Sequence, residues 1–183
     1  MEDLSLHILD VVENAIAAKA NRIEVTVVEE PEKDRLTIEI KDDGIGMDEE
    51  IRQKASDPFF TTRTTRRIGL GLPFLAQAAQ EAGGTLEIES SPGNGTKVKA
   101  TFQYSHIDRK PLGDMTETMT TLLIGNPDID FCYTHVNGVK SFTFRTEWLR
   151  ERFDAQPFVS PEAIRWLRKH LQEGLAGIGL NPV

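Results

Sequence analysis

Leu4, Ile8, Val11, Val12, Ala15 and Ile16 recur at the spacing of one helix face, so residues 3–19 read as an amphipathic helix. The period then changes. Residues 22–28 and 35–41 alternate apolar and polar positions, which predicts two strands joined through the polar segment EEPEKDR. A loop, DDGIGM, follows, and MDEEIRQKA reads as a short helix with an acidic start. Residues 56–68 are polar and basic with no clear period. Residues 70–82 read as a helix ended by Gly83 and Gly84, with Pro73 tolerated in its first turn. Residues 85–90 and 96–103 read as strands around the turn SPGNG. This order of elements predicts an α+β sandwich, a mixed sheet with helices on one face.

Beyond Phe102 the texture changes. Residues 104–120 carry few apolar positions and give no periodic signal. Asn137-Gly138 between two alternating runs predicts a hairpin over about 130–145. Ser160-Pro161 opens a final helix over about 160–176, with Ile164, Leu167, Leu171 and Leu175 at helical spacing. The chain therefore reads as a domain over 1–103 followed by an annex over 104–183. Trp148 and Trp166 in the annex suit packed positions.

Composition narrows the function classes. Of 183 residues, 39% are hydrophobic and 27% charged, which suits a packed core. The net charge of −8 argues against a nucleic-acid partner. One cysteine excludes an internal disulfide and a cysteine-based zinc site. No apolar run approaches the roughly 18 residues of a membrane span, and the acidic start is unlike a secretory signal, so a cytoplasmic protein with no membrane partner is expected. Positive charge concentrates at Arg63, Arg66 and Arg67, too little for a nucleic-acid face and enough for one triphosphate.

Four groups carry candidate chemistry. Asp10 and Asn14 are four apart on the first helix and share a face: a carboxylate for orienting or deprotonating a nucleophile and an amide oxygen for a hard cation. Asp42, Gly44 and Gly46 directly follow the strand over 35–41, where a carboxylate can accept from an adenine amino group and glycines admit a flat ring. Gly69, Leu70, Gly71 and Leu72 open a helix, whose first amides form a phosphate site. Thr96 begins the last strand of the first domain, after Gly93-Asn94-Gly95. Each group alone is also what an ordinary solvated face or turn carries.

In this order and context they resemble the GHKL superfamily of gyrases, heat-shock chaperones, histidine kinases and mismatch-repair clamps. ILDVVENAIAAKANRIEV is similar to its N box, DDGIGM to the first glycine box, RRIGLGL to the second, and GNGTKVKATF to its closing strand; DPFFTTR resembles the lid of sensor histidine kinases. The resemblance implies a Bergerat-type ATP-binding domain. It assigns Asn14 to Mg²⁺, Asp42 with Gly44 and Gly46 to adenine, and Thr96 to the completed adenine site. Gly69, Leu70, Gly71 and Leu72 would hold phosphates, and Arg63 and Arg67 would reach the terminal ones from a lid over 56–68.

Asp10 stands where the ATPase branches carry a glutamate and the sensor kinases usually an asparagine, so it reads either as a general base or as a second magnesium-shell residue. With the N box at the first residues, no preceding phosphoacceptor helix is expected. His106 echoes a phosphoacceptor pattern but follows a strand and lacks the adjacent acid. The resulting expectations are a stand-alone ATP- and Mg²⁺-binding regulatory protein that phosphorylates a partner, on serine as the anti-sigma serine kinases do or on histidine as a detached sensor-kinase domain acting in trans, or hydrolyses ATP slowly. The alternative is an ATP-gated module or dimerising clamp. The annex would cover the sheet, form a homodimer interface or bind the protein partner.

Overall fold

The computed structural model describes residues 3–55, 71–153 and 160–180. Helix α1 (Leu4–Ala17) starts where Asp3 accepts from the Leu6 amide, and its apolar stripe is buried. Strands β1 (Arg22–Glu30) and β2 (Arg35–Asp42) pair antiparallel around a short 3₁₀ turn over Pro31–Lys33. Helix α2 (Glu49–Lys54) is capped by Asp48, and α3 (Gly71–Glu81) precedes the hairpin of β3 (Leu86–Ser90) and β4 (Thr96–Gln103). Then come α4 (Met115–Gly125), β5 (Asp130–Asn137), β6 (Lys140–Arg145), α5 (Thr146–Arg152) and α6 (Pro161–Gly177), the last capped by Ser160.

The strands form one six-stranded sheet in the order β3-β4-β2-β1-β5-β6. All neighbours are antiparallel except β1 and β5, which run parallel with Val25 beside Tyr133. The sheet thus runs unbroken from the first half of the chain into the second. One face is buried: Ile23, Val25 and Val27, Leu36, Ile38 and Ile40, Val98, Ala100 and Phe102, and Phe131, Tyr133 and Phe144. Helices α1, α3, α4 and α6 close that core with Leu4, Ile8, Leu75, Met119, Leu167 and Leu171. Glu24, Thr26, Glu39 and Lys97 occupy the other face and keep partial solvent exposure. The α+β sandwich expected from the pattern is the architecture found.

Two elements depart from the sequence reading. The segment 104–120 that gave no periodic signal contains the start of α4, whose Met115, Met119, Leu122 and Leu123 are buried. They follow helical spacing, but Thr116, Thr118 and Thr120 between them are buried too, so no polar face marks the helix. Helix α5 follows β6 directly and is too short for a periodic signal. Its Trp148 remains 40% exposed rather than fully packed, while Trp166 stacks on His170 at 4.8 Å.

At the β1–β5 seam, His135 and Tyr133 are buried and linked to Glu29. The Tyr133 hydroxyl lies 2.7 Å from His135 Nδ1, and His135 Nε2 lies 2.7 Å from Glu29 Oε1. Burial pushes the Glu29 carboxyl up, but the hydrogen bond and charge of His135 and the Tyr104 hydroxyl prevail and hold it below its ordinary value.

Candidate functional site

Helix periodicity places Asp10, Asn14 and Ala18 along one side of α1 and its C-cap, all half-buried. Eight residues of helix span about 12 Å. Two glycines mark the ends of this stripe. At the Asp10 end a Cβ on Gly71 would come within 2.9 Å of the Asp10 Cβ, so the start of α3 lies directly against that residue. At the other end a Cβ on Gly44 would meet the Ala18 carbonyl oxygen at 2.7 Å, and the Ile45 amide donates to that same oxygen at 3.0 Å. The stripe therefore connects the helix opening at Gly71 and Leu72 with the DDGIG loop. The amides of Gly71 and Leu72 belong to the first turn and have no intrahelical acceptor.

The loop end is built by sheet register. Ser90, Thr96 and Asp42 are cross-strand partners in one row over β3, β4 and β2. Asp42 is buried at 8% exposure; its Oδ1 accepts from the Gly44 amide at 2.8 Å, and the carboxylate also accepts from the Thr96 amide. Burial raises the Asp42 pKa above its ordinary value, helped by the neighbouring Asp43 charge and opposed by those two amides. Gly46 and Gly95 have positive φ, and a Cβ on either would enter a backbone oxygen, of Ser91 at 2.1 Å and of Asp42 at 1.9 Å. An open cavity of about 660 Å³ lies at this end of the sheet, lined by Glu39, Lys41, Glu89 and Lys97 of the outer face and Glu49 and Arg52 of α2, with Asp42, Ser90, Gly95 and Thr96 at its edge; no residue of the α1 stripe lines it.

Three contributors escaped the sequence reading. Asp43 Oδ1 accepts from the amides of Asn21 and Arg22 at 2.7 and 2.8 Å, tying the start of β1 to the loop. Ala18 supplies the carbonyl that holds Ile45. Ser90 Oγ accepts from the Met47 amide and donates to the Gly95 carbonyl, both at 2.8 Å, so it joins the loop to the β3–β4 turn. Its only signal in the sequence is its place opposite Thr96 across that turn.

Of the residues singled out in the sequence, Asp10, Asn14, Asp42, Gly44, Gly46, Gly71, Leu72 and Thr96 line this stripe, its loop or its helix opening. Arg63, Arg67, Gly69 and Leu70, with the lid over 56–68, lie outside the described residues. Among the described residues no cluster of three or more His, Cys, Asp or Glu side chains is disposed to hold a metal. No described helix is long and apolar enough to cross a membrane.

Residues 2–106 match the family model described as histidine kinase-, DNA gyrase B-, and HSP90-like ATPase. The chain belongs to this ATPase family. It carries the family's ATP-binding domain, and the stripe, the loop and the helix opening all lie within the matched residues. Among curated relatives, the sensor histidine kinase YxdK of Bacillus subtilis is 34% identical over 106 residues, covering 54% of this chain and 32% of YxdK. Sporulation kinase E of the same organism is 33% identical over 95 residues, covering 51% of this chain and 13% of the kinase. The matched segment thus spans a third or less of either relative. The N-terminal domain of a DNA repair protein shares the fold, with a TM-score of 0.51 and 18% identity over 79% of this chain and 52% of that one.

Proposed function

We propose that the chain binds ATP with Mg²⁺ along the α1 stripe and passes the terminal phosphoryl group to a partner protein, with slow transfer to water when no partner is present. The observation that carries this reading is the contact of one helix side with both glycine segments, Gly44 at one end and Gly71 at the other. It gives a nucleotide a base end at Asp42 and a phosphate end at the opening of α3. The kinase names of the curated relatives support transfer to a protein.

Each side chain then has a task. Asp42, acting as an ionised acceptor, takes the adenine amino hydrogens. The amides of Gly71 and Leu72, with Gly69 and Leu70 before them, donate to phosphate oxygens at the positive end of α3. The Asn14 amide oxygen is a hard ligand, and a single such ligand beside substrate phosphates suits magnesium better than a protein cage would. When bound, Mg²⁺ neutralises charge on the terminal phosphates. Asp10, next to Gly71, accepts the proton of the attacking hydroxyl as its oxygen bonds to phosphorus and the bond to ADP breaks. Arg63 and Arg67 would add positive charge at the terminal phosphate.

The test follows ADP release from ATP in wild type and Asp10→Asn, with ATP affinity measured in parallel. Slow release in wild type, lowered at least about tenfold in the variant at nearly unchanged affinity, supports the assignment. Equal rates in both proteins remove Asp10 from the chemistry. Tight ATP binding with neither ADP release nor any phosphorylated protein favours the ATP-gated docking module instead.

A further inference from the structure

The hydroxyl network beside Asp42 has a fixed polarity. Ser90 Oγ has one proton and two acceptor positions. Its proton goes to the Gly95 carbonyl at 2.8 Å, because a carbonyl oxygen can only accept. One acceptor position takes the Met47 amide at 2.8 Å. Thr96 Oγ1 stands 2.9 Å from the same Oγ, so the remaining bond requires Thr96 to be the donor. With its only proton spent on Ser90, Thr96 turns lone pairs alone toward the base end of the site. Asp42, one strand further along the same row, is likewise an acceptor when ionised.

We propose that Ser90 is a positioning residue for base specificity: by holding Thr96 as an acceptor, it fits the pocket to a 6-amino purine and against a 6-oxo purine. This rests on the reading of the Asp42 end as the base end. A 6-amino group carries two hydrogens and matches an edge of acceptors. A 6-oxo group presents an oxygen, which two sets of lone pairs repel. Without Ser90, Thr96 is free to turn its proton outward. Thr96 would then donate to O6 while Asp42 takes the N1 hydrogen, a pairing that suits the 6-oxo base. Discrimination here comes from denying a donor to the wrong ligand.

Affinities for ATP and for inosine triphosphate, which differ at the 6-position, are measured by calorimetry in wild type, Ser90→Ala, Ser90→Thr and Thr96→Val. Circular dichroism melts accompany them to verify folding. The expected result is a preference for ATP in wild type that falls about tenfold in Ser90→Ala, the scale of one hydrogen bond changing sign, and is largely restored in Ser90→Thr. Adding Ser90→Ala to Thr96→Val should leave the ratio unchanged, since the hydroxyl that Ser90 positions is then absent. Should Ser90→Ala fold poorly, Thr96→Val alone carries the test: removing the acceptor that Ser90 holds must also reduce the preference for ATP. A Ser90→Ala protein that loses ATP and inosine triphosphate affinity equally, with its ratio intact, overturns the proposal and leaves the base site standing. A wild type that binds neither nucleotide overturns the base site itself and the proposal with it.

Discussion

Asp10 Cβ stands 2.9 Å from where a Cβ on Gly71 would lie, so the first residue of α3 cannot grow without displacing α1. Gly71→Ala is expected to lower stability by about 1–3 kcal/mol through overpacking and to weaken ATP binding at least about tenfold, because pushing α1 and the start of α3 apart shifts the amides proposed to hold phosphate. Gly125→Ala is the contrast. It ends α4 with open space around its Cβ and no positive φ, so alanine should be neutral or gain up to about 1 kcal/mol in helix propensity. Thermal melts and ATP titrations of both variants check the pair.

The Glu29–His135 bond holds β1 to β5 where both side chains are buried. Glu29→Ala removes one partner and leaves His135 facing an unsatisfied site. A loss of about 3 kcal/mol is expected in urea unfolding, with the spectroscopic signal of Trp148 and Trp166 changing in the same transition as the rest of the fold. Because the Glu29 pKa is lowered in the fold, its contribution is present above the unfolded carboxylate value and fades as pH falls through the folded one. In Glu29→Ala that acid-side loss should be smaller.

This seam also shows what the sequence could and could not say. The alternation of Ile23, Val25 and Val27 announces a strand, and Asn137-Gly138 announces a hairpin. Nothing local states that Val25 lies beside Tyr133, since parallel pairing of segments over a hundred residues apart leaves no turn to read. Helix period alone puts Asp10 and Asn14 on one side, but Asp42 and the glycines stood out only through the order of their motifs and the resemblance to the GHKL superfamily. Ser90 was not, because its role depends on the register that sets it opposite Thr96 and on the Met47 amide brought in by the loop. The first turns of α4 stayed hidden because buried threonines removed the polar half of the pattern.

His7 is 1% exposed on α1, and neither ring nitrogen has a hydrogen-bond partner among the described residues. Burial, with Lys110 nearby, lowers its pKa to about 4. The unfolded chain takes up this proton near pH 6.5 and the folded chain does not, so stability should be full above that value and fall as pH drops toward 4. The loss is on the order of 3 kcal/mol. Denaturant unfolding at pH 7, 6, 5 and 4 follows it, with about 2 kcal/mol of the loss complete by pH 5. His7→Leu should flatten that slope without lowering stability at pH 7, and an unchanged slope in the variant would assign it to other groups.

Asp42 places binding and folding in opposition. Its raised pKa means the folded chain holds the proton more tightly than the unfolded one, so ionising Asp42 above the unfolded carboxylate value costs stability. Asp42→Asn should therefore melt no lower than wild type at pH 7 while losing the acceptor for adenine. In wild type, ATP affinity should decline on acidification at a higher pH than an ordinary aspartate would give. Titrations between pH 5 and 8 read this directly.

Calorimetric titration of wild type, Asp42→Asn and Asn14→Ala with ATP, each with and without Mg²⁺, is the most direct test of the nucleotide site. Wild type should bind, with affinity enhanced by Mg²⁺; Asp42→Asn should lose binding while staying folded; and Asn14→Ala should bind without the Mg²⁺ enhancement. Absence of binding by wild type, or Asp42→Asn binding as tightly as wild type, would contradict the assignment of this end of the sheet to adenine.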